Sequence, residues 1–113
     1  MNTQPAATGG AIDAAELKRK LDRGDDFILI DVREPHEYQI ARIPGARLIP
    51  LGELPKRLNE LDRNAEIVMQ CKVGGRSQQA VDLMKQNGFK NVRNMTGGIT
   101  AWSDQVDPSV PKY

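Results

Sequence analysis

The chain carries short strand-like segments that no tight hairpin joins. Phe27 to Ile30, Leu48-Ile49, Ile67 to Met69 and the residues around Val92 are each brief, and the stretches between them far exceed the two residues of an antiparallel connection. Parallel neighbours instead need a crossover of about a dozen residues or more, usually a helix. The intervening chain has that period. Asp13 and Glu16 have the form of a capping box beside Ala14, Leu17 and Leu21, with Gly24 as the stop. Pro35 suits the first position of a short helix that ends before the turn signal Ile43-Pro44-Gly45. Leu51, Leu54, Leu58 and Leu61 share one face of a helix expected from about Gly52 to Leu61, with Pro55 in its first turn. Ser77, Ala80, Val81 and Met84 mark another, ending at Asn87-Gly88. A turn at Gly97-Gly98 and a last helical turn over Ile99 to Trp102 complete the pattern, with Trp102 in the core. The fold class is therefore α/β: one domain with a mostly parallel sheet of about five short strands, flanked by helices on both faces.

A chain of 113 residues has room for one core. Residues 1–10, MNTQPAATGG, have no apolar period and read as a flexible linker or tail. The domain then occupies 11–106, and the proline-rich segment 107–113 forms a C-terminal tail that is neither ordinary helix nor central strand. A net charge of +1 supplies no global field for nucleic acid or an anionic membrane. No apolar run approaches the ~20 residues of a membrane span, and residues 1–10 lack the pattern of a signal peptide, so a soluble, cytoplasmic protein is expected. The one cysteine, Cys71, cannot form an internal disulfide, and with His36 it falls short of the ligands that zinc requires. Neither a metal nor a cofactor is expected.

Cys71 nonetheless stands where chemistry concentrates in parallel sheets, in the loop that follows a strand and opens a helix. The segment reads Gln70-Cys71-Lys72-Val73-Gly74-Gly75-Arg76-Ser77. Its glycines permit positive backbone dihedrals, so successive amides can turn inward as an anion-binding nest. The helix behind adds a positive N-terminal dipole, and Lys72 and Arg76 add full charges. Each effect favours thiolate over thiol, and such surroundings bring a cysteine from a pKa of about 8.5 to roughly 3.5–7.5. Residues 71–103 hold five basic side chains and one acidic, against ten and twelve in residues 1–70. Lys85, Lys90 and Arg93 are read as a solvated face. His36 is read as an exposed polar residue, leaving Cys71 without a histidine base.

A cysteine, a glycine loop and an arginine five positions on resemble two families that share a fold, the rhodanese-like sulfurtransferases and the cell-cycle dual-specificity phosphatases. The sulfurtransferase loop typically has six residues and the phosphatase loop one more. Cys71 to Arg76 is six. Asp31-Val32-Arg33-Glu34, Glu37-Tyr38, Ile43-Pro44-Gly45-Ala46 and Gly97-Gly98-Ile99-Thr100-Ala101-Trp102 look like the other rhodanese signatures, in order, over roughly Ile12 to Val106. A narrower resemblance is to the C-terminal rhodanese domain of the ubiquitin-activating-like adenylyltransferase/sulfurtransferases of molybdopterin, thiamine or cysteine biosynthesis. It rests on Arg33-Glu34-Pro35-His36-Glu37, on the Cys71 to Ser77 loop, and on the closing Val106-Asp107-Pro108-Ser109-Val110-Pro111-Lys112-Tyr113. The expectation is either a stand-alone relative or a domain excised from such an enzyme. One departure is Arg42, where the family often has histidine.

The resemblance implies that Cys71 takes a sulfane sulfur, holds it as a persulfide and passes it on. It implies that Lys72, Val73, Gly74, Gly75, Arg76 and Ser77 bind the sulfur or its donor, with Arg76 offering a planar fork to an oxyanion or, alternatively, pairing with a carboxylate. Asp31, Arg33 and Glu37 are carried over as a supporting ion-pair network. The implied partners are a small anionic donor such as thiosulfate or a persulfide-bearing protein, with cyanide as acceptor in vitro. A ubiquitin-like sulfur carrier or an adenylyltransferase domain are further candidates. The competing readings are a non-catalytic interaction module and, disfavoured by loop length, a cysteine-dependent phosphatase.

Overall fold

The computed structural model describes residues 10–113, so the linker expected at 1–10 lies, except for Gly10, outside the described residues. Strand β1 (Ala11–Ile12) leads into helix α1 (Ala14–Arg23), then β2 (Ile28–Asp31), α2 (Pro35–Ile40) and β3 (Arg47–Leu48). Helix α3 (Leu54–Arg57) continues as a 3-10 turn (Leu58–Glu60) before β4 (Ile67–Gln70), α4 (Gly75–Gln86), β5 (Val92–Met95) and α5 (Gly98–Gln105). The strands form one sheet in the order β1-β5-β4-β2-β3, and every pairing is parallel.

Alternation along the strands divides the apolar residues between two cores. Ile30, Ile67, Met69 and Cys71 pack with Leu54, Leu58, Ala80, Val81 and Met84 of α3, the 3-10 turn and α4. Leu29, Val68 and Met95 face the other way, onto Leu17 of α1 and Ile99 and Trp102 of α5. Cys71 therefore hangs on the α4 side of the sheet.

The helix ends follow local chemistry. Asp13 accepts the Glu16 amide at 2.8 Å, and Gly24 closes α1 with φ 70°. Glu16 turns to Arg93 instead of completing the box, whereas at α2 the Glu37 carboxylate does reach back, accepting the Glu34 amide at 2.9 Å.

Three expectations about elements are corrected. The helix from Gly52 to Leu61 is split: the Leu51 amide is held by Val32 O at 3.0 Å, Gly52 stays in a turn, and a tighter 3-10 turn seats Leu58 and Leu61 in the core. The final helix is two turns long, because Ser103 is buried and donates its hydroxyl to Val110 O at 2.8 Å, a polar contact that apolar periodicity cannot register. Strand β1 adds an edge to β5 that two residues are too few to announce. The closing residues form neither helix nor strand, yet Val110 is buried with the α1/α5 core.

Candidate active site

Strand β4 ends one residue before Cys71, and two features shape the loop beyond it. Gly74 takes φ 113°, a conformation that side chains rarely adopt, and turns the chain into α4. From outside, the first turn of α5 donates to the loop: Ile99 N reaches Cys71 O at 2.9 Å and Thr100 N reaches Lys72 O at 3.1 Å. With its carbonyls held outward, the loop points amides inward. Gly74 N donates to Cys71 Sγ at 3.0 Å and Ser77 N at 3.4 Å. Gly98 makes this docking feasible, since a Cβ there would stand 2.4 Å from both the Cys71 and Lys72 carbonyl oxygens. Of the loop glycines only Gly74 uses a positive φ; Gly75 is an ordinary first helical residue.

The Ser77 hydroxyl stands 3.3 Å from Sγ and donates to Asn94 Oδ1 at 2.5 Å. Asn94 in turn donates to Gly74 O at 3.2 Å, fastening β5 to the bend of the loop. A hydroxyl has one proton, so with a neutral thiol S–H donates to Oγ, and once Cys71 ionises the hydroxyl can turn its proton to sulfur.

Burial pushes the Cys71 thiol up, but the Ser77 hydroxyl and the amides of Ser77, Gly74 and Val73 outweigh it, leaving the pKa below that of a free cysteine. Here the expectation shifts. Neutral donors aimed at sulfur lower the pKa, whereas Lys72 and Arg76 make their direct contacts elsewhere, with the Arg76 charge still coupled to the Cys71 thiolate through space. Lys72 Nζ sits 4.4 Å above the Tyr113 ring. Arg76 lays its fork along Glu37, with NH1 to Oε1 at 2.6 Å and NH2 to Oε2 at 3.0 Å. The carboxylate-paired alternative for Arg76 is the one the geometry shows.

Cys71 is itself only 1% exposed, while Val73 at the loop tip is 64% exposed. Gly75 is exposed, with nothing within 4 Å of where a Cβ would lie. Behind the loop, Asp31 and Arg33 form a fully buried pair, Arg33 NH2 to Asp31 Oδ2 at 2.7 Å. Glu37 belongs with Arg76, and the Arg76 and Tyr113 hydrogen bonds, with the Glu34 amide, overcome burial to hold its carboxyl at about 2. The two pairs meet at Tyr113, whose hydroxyl accepts from Arg33 NH1 at 2.7 Å and donates to Glu37 Oε2 at 2.8 Å.

Other candidates fall away from the loop. His36 is exposed at the start of α2, and Arg42 stacks over Tyr38 at 4.4 Å. Among the described residues no three His, Cys, Asp or Glu side chains gather as metal ligands, and no helix is long and apolar enough to cross a membrane. Three contributors escaped the sequence reading: Asn94, Gly98 and Tyr113. The available signal for Gly98 was the glycine doublet; Asn94 shares its short strand with Arg93 and stands out from nothing near it, and Tyr113 stood in the closing motif with no role assigned.

The family model of the rhodanese-like domain matches residues 13–105. The chain is 45% identical over 93 residues to the Arabidopsis thaliana chloroplastic rhodanese-like/PpiC domain-containing protein 12, covering 79% of this chain and 31% of that protein. It is 37% identical over 109 residues to the Zea mays adenylyltransferase and sulfurtransferase MOCS3-2, covering 90% of this chain and 23% of that protein. The chain thus spans less than a third of either relative. Among solved structures, the human single-domain sulfurtransferase TSTD1 superposes with a TM-score of 0.79 at 28% identity, covering 84% of this chain and 96% of that one.

Proposed function

The chain belongs to the rhodanese-like domain family, and from that premise we propose that it moves a sulfane sulfur from thiosulfate or a protein persulfide, through a persulfide on Cys71, to a thiophilic acceptor. The observation that carries the reading is the convergence of the Gly74 and Ser77 amides and the Ser77 hydroxyl on one sulfur atom. Such donors stabilise an anion without themselves reacting.

In the first exchange the Cys71 thiolate attacks the outer sulfur of thiosulfate. A sulfur–sulfur bond forms to the cysteine, and the bond to the sulfonate breaks, its electron pair leaving with sulfite. A donor approaching over Gly75 meets no side chain at that residue. The outer sulfur of the persulfide carries the negative charge, and the loop amides hold it. In the second exchange cyanide attacks that outer sulfur: a carbon–sulfur bond forms, the sulfur–sulfur bond breaks, and its electron pair returns to Cys71 as the thiolate. Both steps exchange sulfur bonds with no external oxidant or reductant. The six-residue length of the loop, Cys71 to Arg76, supports the sulfurtransferase reading over the phosphatase one through the family resemblance.

The test is thiocyanate formation from thiosulfate and cyanide, with mass spectrometry of the intact protein after thiosulfate alone. The expected result is a gain of one sulfur atom, lost on adding cyanide, with Cys71→Ser abolishing both adduct and turnover. No adduct and no turnover in the native protein rejects the proposal.

A further inference from the structure

We infer that Tyr113 is a positioning residue of the sulfur-transfer site, setting through Glu37 and its own ring where the two loop cations, Arg76 and Lys72, stand relative to Cys71. The inference deepens the sulfurtransferase reading and rests on it for its functional consequence, though not for its structural core.

Tyr113 reaches the site across a sequence separation of 76 residues from Glu37 and 80 from Arg33. Its hydroxyl is used in both directions, which fixes its proton on the Glu37 side. Arg33 cannot accept that proton, because a guanidinium has no acceptor. Glu37 is correspondingly saturated: Oε1 takes the Glu34 amide and Arg76 NH1, and Oε2 takes Arg76 NH2 and the Tyr113 hydroxyl. Without the hydroxyl the carboxylate can swing about its own axis, and the Arg76 fork swings with it. The ring acts separately. It lies 4.4 Å from Lys72 Nζ, next to Cys71 in the chain, and 5.6 Å from the Arg33 guanidinium. The segment bringing Tyr113 there is anchored by Val110 in the core and by Ser103 on its carbonyl. One side chain therefore controls two cations at the rim of an otherwise neutral cradle, with hydroxyl and ring as separable handles.

Two variants separate them. Tyr113→Phe keeps the ring and removes the hydroxyl; Tyr113→Leu removes both. With thiosulfate as donor, KM is expected to rise about three- to tenfold in Tyr113→Phe and further in Tyr113→Leu. kcat should stay within about twofold, because a dianionic donor is drawn in by the rim cations while the sulfur is held by the amides. The independent readout is the ratio of Cys71 alkylation rates by iodoacetate and iodoacetamide, which reports the positive field at sulfur whether or not the protein transfers sulfur. That ratio is expected to fall in the same order, native, Phe, Leu, with the differences shrinking in high salt. An unchanged ratio in a folded Tyr113→Leu protein overturns the inference even if the native protein is an active sulfurtransferase. A falling ratio in a protein without turnover upholds the positioning role and rejects the sulfurtransferase reading instead.

Discussion

Arg33 and Arg76 each grip a carboxylate through charge-assisted hydrogen bonds, yet the two pairs live in different media. The side chains of Arg33 and Asp31 are 0% exposed, whereas Arg76 is 36% exposed and its partner Glu37 is 9% exposed. Arg33 spends its donors inward, on Asp31, on the Glu37 and Ala41 carbonyls and on Tyr113. Burial would lower its pKa, but the Asp31 and Tyr113 hydrogen bonds raise it, so it stays charged in the interior. Arg76 keeps part of its surface in water at the edge of the cysteine loop. The same chemistry thus makes a joint in one place and a rim in the other, and solvent decides which.

The largest effect is expected from breaking the joint. Arg33→Met strands the Asp31 carboxylate in the core and is expected to cost about 3–5 kcal/mol, read by urea unfolding. A loss below about 1 kcal/mol would erase the distinction between the pairs. Glu37→Gln tests the half-buried pair through pH. The native carboxyl titrates at about 2 against an ordinary 4.5, so its contribution is full above 4.5 and is lost as the pH falls through about 2. The stability difference between native protein and variant is therefore expected to shrink across that acid window, and a difference independent of pH would show that the pair contributes no linkage. The smallest stability effect belongs to Arg76→Lys, which keeps the charge but loses the fork. Unfolding should move by under about 1 kcal/mol, while KM for thiosulfate rises about tenfold; equal kinetics would reduce Arg76 to a surface ion pair.

How legible these regions are follows from the range of the forces involved. Helix α1 reads directly, because its cap Asp13 and stop Gly24 act within a turn of the residues they serve. Strands β2 and β4 read equally well, since burial on both faces gives each a compact apolar run up to its polar last residue, Asp31 or Gln70. The position of Cys71 at a strand end follows from the same pattern. The direction of its neighbours' charges does not. Lys72 follows the thiol directly and Arg76 stands five positions on, so both look like its counter-ions, but their direct contacts go to Tyr113 and Glu37.

By itself the sequence determined the alternating elements, the parallel sheet they require, and a six-residue cysteine loop at the end of a central strand, because periodicity, caps and turn residues act over a few positions. The tertiary structure alone decided which way the loop faces and where its cations go. The α5 amides that hold the loop carbonyls outward, the Asn94 amide at the bend and the Tyr113 hydroxyl all arrive from distant chain. A hydrogen bond depends on where its donor lies in space, and packing of the two cores on the sheet sets that position.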